Sequence, residues 1–299
     1  MTNTFLGRST KALIVAWTAC LLASAIPFAL ASDDSEHRGN FTDEFHKSYP
    51  LSAQGRISID NLNGPVTVTG WDRPEVKVDA IKSAWSKERL DEAKIEVDSA
   101  ADSISIRTTY PSHDNNFNYG NDDEHHNPAR VEYTIMVPRR ASLDEVRLVN
   151  GRLEINGVSG EVRASCVNGK VEAHNLQGRV DLKSVNGELN VNADQVAPSG
   201  MKLSTVNGRL RLTLPSDSNA EIKASTVSGN ITDDFGLPIN RHQYVGRSLH
   251  GQLGGGGTLV SLSTVNGMIQ ISHANDNRPL SPARNLDPDR GHDKDRDED

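Results

Sequence analysis

The chain is 299 residues long, carries 32 Lys and Arg against 40 Asp and Glu, a net charge of −8, and is 5% aromatic. An acidic balance with few rings excludes a basic, base-stacking nucleic-acid surface. Two cysteines, Cys20 and Cys166, exclude a disulfide framework, and 24 glycines suit a thin, turn-rich β structure.

The N-terminus reads as a secretory signal. Arg8 and Lys11 precede the apolar run Ala12–Ala29, and Ala29-Leu30-Ala31 offers a small-x-small cleavage site before Ser32. Pro27 interrupts the run, which argues against a membrane span. A lipid anchor at Cys20 is an alternative, opposed by Trp17 three positions ahead and by the apolar Leu21-Leu22-Ala23 that follows. Cleavage at residue 31 removes Arg8 and Lys11, leaving 30 basic and 40 acidic side chains and Cys166 as the only cysteine. Residues 32–53 form a polar segment expected to be flexible. A first β region covers Gly55–Ala80, where Ile57, Ile59, Val66, Val68, Val76 and Val78 alternate with polar residues. A short helix is expected near Ser86–Ala93, then strands near Lys94–Val97, Ser103–Thr108 and Arg130–Val137, with Pro111–Pro128 a polar loop between the last two.

From about Asp144 to Ser272 one phrase recurs: Val149-Asn150-Gly151, Val158-Ser159-Gly160, Val167-Asn168-Gly169, Leu176-Gln177-Gly178, Val185-Asn186-Gly187. It returns as Val206-Asn207-Gly208, Val227-Ser228-Gly229 and Val265-Asn266-Gly267. Self-similarity at a short fixed period marks a stacked β architecture. After each turn glycine the second and fourth residues are apolar, as in Leu153/Ile155, Val171/Ala173, Leu189/Val191, Leu210/Leu212 and Ile269/Ile271. Before the turn the pairs are Val162/Ala164, Val180/Leu182, Met201/Leu203, Ile222/Ala224 and Val260/Leu262. Every second turn has a small residue ahead of the Val: Cys166, Ser184, Thr205, Thr226 and Thr264. These turns are 18, 18, 21, 21 and 38 residues apart, counted from Gly151 through Gly267. Extra residues enter only at the other corner, as Ala193–Gly200, Pro215–Ala220 and Asp233–Thr258. Beyond the array, residues 274–299 carry prolines and many charges and are expected to be a disordered tail.

An antiparallel meander and a β-solenoid both fit a nine-residue strand-turn unit. A meander's single apolar face needs a cover that the chain lacks. In a solenoid each wall covers the other. One coil buries about five aliphatic side chains at roughly 1.5–3 kcal/mol each, while ordering its residues costs about 1.5 kcal/mol apiece. A lone coil therefore fails and a stack succeeds. The expectation is an all-β fold: a β-solenoid with two short strands per 18–21-residue coil and one short helix.

Gly70-Trp71-Asp72-Arg73-Pro74-Glu75-Val76-Lys77-Val78, the strand ending Ile135-Met136-Val137-Pro138, the Val-Asn-Gly array and the glycine loop before Ser263 together resemble DUF4097, the adhesin-like domain family. The resemblance covers residues 54–273. It implies a bacterial, exported β-solenoid, and it brings no catalytic residues with it.

The best metal candidates are His113, Asp122, His125 and His126, imidazoles and a carboxylate in the polar loop. No strand or helix fixes their geometry there, so a solvated loop without metal is the expectation. Asp233-Asp234 evokes a glycosidase carboxylate pair, but it sits at an insertion rather than on a wall, and no catalytic residue is assigned. Gly251–Gly257 lacks the Lys-Ser/Thr and helix of a phosphate cradle and reads as a flexible corner loop. The Asn ladder and Cys166 read as structural, and Trp71 as a turn-packing aromatic rather than a sugar platform. No cofactor is expected. The function expected is a non-enzymatic binding or structural module of the cell envelope, periplasmic or secreted, presenting an adhesin-like surface to a glycan, peptide or protein. The alternatives are a sensory component of an envelope stress response and, third, a polysaccharide-acting enzyme or metal-binding protein. Neither nucleic acid nor a membrane span after processing is expected.

Overall fold

A computed structural model describes residues 41–111, 128–196, 198–241 and 245–287. The described residues are all-β apart from one helix, α1 (Lys87–Glu92). Ser86 caps it by accepting from the Arg89 N–H, a short polar side chain meeting an orphan donor.

The repeat region supplies two ladders of parallel strands. Strands ahead of the Asn-Gly turns are β8 (Ser142–Asn150), β10 (Val162–Asn168), β12 (Val180–Asn186) and β14 (Met201–Asn207), each paired parallel with the next. Strands after the turns are β9 (Leu153–Asn156), β11 (Val171–His174), β13 (Leu189–Asn192) and β15 (Leu210–Leu214), again parallel. Asn168 registers with Asn186, and Asn186 with Asn207. Same-corner turns are thus nearest neighbours, which a meander would not allow. All twenty apolar side chains named from the repeat pattern are buried. The arrangement is a large, many-stranded, solenoid-like sheet.

Both ends depart from a stack in chain order. Near the C-terminus, β16 (Ala220–Asp233) does not sit on β14. Instead β19 (Leu259–His273), which follows it in sequence, lies between them, parallel to β14, β15 and β16. Near the N-terminus, β2 (Arg56–Asn63) lies between β6 (Ser103–Thr109) and β8, and β3 (Val66–Trp71) lies between β7 (Arg130–Pro138) and β9. The first and last coils are each held one layer inside the stack. Antiparallel strands complete the ends: β4 (Glu75–Ala84) on β7 and β5 (Lys94–Ser99) on β6 at one, β18 (Arg247–Leu253) on β16 at the other.

Three segments expected to be irregular are ordered strands. The flexible segment 32–53 contains β1 (Phe41–Pro50), paired with β4 along its whole length. The Asp233–Thr258 insertion holds β17 (Asn240–Arg241) and β18, so Gly251 belongs to a strand. The tail contributes β20 (Ala283–Asn285), paired with β18. In each case backbone pairing at a sheet edge orders residues whose side chains give no strong alternation.

The turns explain the Asn-Gly phrase. Gly187 has φ +151°, and a Cβ built on it would lie 1.8 Å from the Gly169 carbonyl oxygen. Only glycine lets consecutive turns approach this closely. The small residue ahead of each Val points inward beneath these turns: Cys166 Sγ reaches the Gly151 carbonyl at 3.8 Å and Thr226 Oγ1 the Gly267 carbonyl at 3.3 Å. In β2 the same row holds Asn61, buried and with both N–H groups and its carbonyl oxygen engaged. Its Nδ2 donates to the carbonyls of Gly64 (3.1 Å) and Val131 (2.9 Å), and its Oδ1 accepts from Thr108 Oγ1 at 3.1 Å. The Tyr133 hydroxyl then donates to Thr108 Oγ1 at 2.7 Å. Burial pushes the Tyr133 phenol up to about 12.

Candidate functional site

The constant corner of the array carries a continuous amide ladder. Asn168 Nδ2 donates to Asn150 Oδ1 at 2.9 Å. The Asn186–Asn168, Asn207–Asn186 and Asn266–Asn207 steps repeat the bond at 3.0 Å. The last step confirms that β19 follows β14 in space. Each amide keeps one N–H and one lone pair for other partners, so the ladder is a row of alternating donors and acceptors on the surface.

Beside it runs a row that the sequence reading left unassigned. Val167, Val185, Val206, Val265 and Val227 point outward and are 39%, 40%, 40%, 43% and 54% exposed. The signal was present: alternation carried from Val162 and Ala164 through Cys166 puts Val167 on the outer face. A third outward row follows two positions earlier, Arg147, Ser165, Lys183, Ser204, Ser263 and Ser225, neighbours across the strands in that order. Hydroxyl, aliphatic and amide rows therefore run side by side across the strands.

The wall after the turns is polar and internally paired. Arg211 donates to Glu188 at 2.6 Å, and Lys170 and Arg152 meet Glu172 at 2.6 and 3.6 Å. At the variable corner, a polar hollow of about 280 Å³ is lined by Arg139, Asn156, Asn175, Gln177 and Asp194 among others. Arg139 is already engaged there, with Asp72 at 3.1 Å and the Gly157 carbonyl at 3.3 Å.

The other sequence candidates do not gather. His113, Asp122, His125 and His126 lie outside the described residues. Among the described residues no group of three or more His, Cys, Asp or Glu side chains is placed to hold a metal. Asp233 and Asp234 diverge. Asp233 Oδ2 accepts from the Leu237 N–H at 2.6 Å, anchoring the turn that buries Phe235 and Leu237, while Asp234 is exposed. Burial raises the Asp233 carboxyl above its usual range. Cys166 is buried and its thiol is pushed up to about 11, the opposite of an activated nucleophile. The Trp71 indole N–H donates to the Glu75 carbonyl at 2.8 Å and Arg73 stacks on its ring at 5.0 Å, closing the turn on itself.

Residues 145–272 match the profile of the family Toastrack DUF4097, the family that the sequence resembles. Among solved structures, a protein of Clostridium sporogenes assigned provisionally to cell adhesion is 14% identical, with 78% of this chain and 100% of that one covered and a TM-score of 0.48. A provisionally assigned adhesin of Bacteroides fragilis is 12% identical over 78% of this chain and 97% of its own, with a TM-score of 0.36. A Parabacteroides distasonis protein provisionally described as lipid-binding is 12% identical over 78% and 98%, with a TM-score of 0.29. No curated protein matches the chain. Among the described residues no helix is long and apolar enough to cross a membrane.

Proposed function

We propose that the chain is exported through its N-terminal signal, cleaved after Ala31, and acts in the bacterial envelope as a non-enzymatic binding module built on a β-solenoid of two-strand coils. The observation that carries this reading is the unbroken amide ladder, which fixes successive turns at one spacing and so holds long strand-lined walls as rigid surfaces. Such walls suit extended ligands, whose many weak contacts add only if the surface is ordered beforehand. The diverging Asp233 and Asp234 and the engaged Arg139 favour binding over bond cleavage.

Export is tested by cell fractionation and N-terminal sequencing, with a periplasmic or secreted product beginning at Ser32 expected. Binding is tested by presenting the purified chain to arrays of envelope glycans and peptides. Saturable binding should be lost on charge reversal of outward positions, Lys202→Glu with Arg211→Glu, and retained in Asp233→Asn. Turnover of a bound glycan that Asp233→Asn abolishes would contradict the proposal and favour an enzyme.

A further inference from the structure

We infer that the strip of serine, valine and asparagine rows at the constant corner is a pairing surface for a second copy of this chain. Three observations bring the strip and its occupant together, beginning with its repeat. Neighbouring strands lie about 4.8 Å apart, so the exposed valines recur at that interval across the coils. An extended peptide rises about 3.3 Å per residue and loses register with the row within a few steps. A second stack of the same strand spacing keeps register along the whole row. Identical side chains stacked at this interval can interdigitate with a facing copy as a dry zipper.

The second observation is self-complementarity. With a two-fold axis along the stack, valine meets valine, and the partner's asparagine row lies over the serine row. The free N–H groups and lone pairs left by the amide ladder then face hydroxyls, which can accept and donate in turn. Arg147 and Lys183 lie in the serine row and meet amides rather than each other.

The third is charge. The chain has a net charge of −8, so copies repel in general. From β8 to β16 the three rows contain no Asp or Glu. Their charged members, Arg147 and Lys183, are paired with Glu145 at 2.6 Å and Asp181 at 3.8 Å just outside the strip, and the serine row meets its first carboxylate only at Asp60 on β2. The strip is therefore close to neutral, and two copies can approach along it with little repulsion. Its extent sets the strength: roughly 25 Å by 15 Å at strand spacing falls in the class of weak, transient interfaces below about 1,200 Å² in total. The pairing is a reversible, concentration-dependent dimer.

The test is sedimentation velocity on the full chain over a wide concentration range, with a monomer–dimer equilibrium expected. Val185→Thr with Val206→Thr keeps β-branched side chains, and so strand preference, and should shift the equilibrium at least tenfold toward monomer with unchanged circular dichroism. Gln270→Asp, on the other wall, should leave it in place. A Val206→Cys variant should cross-link to itself on mild oxidation, since equivalent valines face each other, whereas Gln270→Cys should not. A chain that stays monomeric at every concentration overturns the inference, as does a dimer that the double threonine variant leaves unchanged. Either result leaves the envelope-binding proposal standing.

Discussion

Replacing Gly187 with alanine should destabilise the array far more than the same change at Gly236. A Cβ at Gly187 would lie 1.8 Å from the Gly169 carbonyl oxygen, whereas unbonded carbon and oxygen normally keep about 3.3 Å or more. The two turns must separate by about 1.5 Å. That opens the bonds straddling the contact: Gly169 N–H to the Asn186 carbonyl at 3.0 Å, Asn186 Nδ2 to Asn168 Oδ1 at 3.0 Å, and Val171 N–H to the Glu188 carbonyl at 2.8 Å. Each contributes about 1 kcal/mol net, and the φ of +151° adds about 1–3 kcal/mol of backbone strain. The loss of roughly 4–6 kcal/mol rivals the whole stability of a typical domain. Gly236 has φ +84° but nothing within 4 Å of its added Cβ, so only the backbone strain of about 1–3 kcal/mol applies. Urea denaturation followed by far-ultraviolet circular dichroism measures both. Equal losses, or a smaller loss at Gly187, would refute the argument that turn-to-turn contact excludes every side chain but hydrogen.

Leu189 is fully buried, so Leu189→Asp should unfold the array by stranding a carboxylate between the walls. Glu188→Lys, which loses only a partly exposed pair with Arg211, should cost about 1 kcal/mol or less, and similar melting points for both would show the register to be wrong. Both His46 ring nitrogens face carboxylates, Nδ1 donating to Asp79 at 2.8 Å and Nε2, when protonated, to Glu44 at 3.1 Å, and these carboxylates raise its pKa. Its contribution to docking β1 is therefore full below the ordinary histidine pKa and lost as pH rises through the raised value. Amide exchange across Phe41–Pro50 should quicken as pH rises above the ordinary histidine value of about 6.5 and through the raised one, and more so than in His46→Asn. Identical profiles for the two would remove the histidine from the account. For the loop 113–126, elemental analysis of the purified chain should find no stoichiometric zinc, copper or nickel. Near-unit metal that disappears when His113, His125 and His126 are replaced together would establish a metal protein instead.

The repeat was legible because each coil writes the same physics into its side chains. Leu189 and Val191 must face inward and Gly187 must sit at the close approach, so period and register survive in the sequence. The position of β19 was not legible. Val265-Asn266-Gly267 fits beside any other coil, and the choice between β14 and β16 is made by the long Asp233–Thr258 excursion, whose β18 occupies the far edge of β16. The edge strand β1 was hidden for a different reason. Its side chains are almost all exposed, and its order comes from backbone pairing with β4, which leaves no apolar alternation to read. The valine row was readable in principle. Its residues lie between the buried small positions and the corner asparagines, where the inward/outward alternation stops.

The stacking order is tested most directly by paired cysteines on the outer wall. Lys202 and Ser261 are registered neighbours on β14 and β19, while Lys223 on β16 pairs with Ser261 from the other side. Lys202→Cys with Ser261→Cys should form a disulfide readily, since adjacent strands bring Cα atoms within the usual span of about 4.4–6.8 Å. Lys202→Cys with Lys223→Cys, two strand spacings or about 10 Å apart, should remain reduced under the same oxidant. A disulfide in the second pair and none in the first would mean that the coils stack in chain order, contradicting the inserted final coil and the ladder built on it.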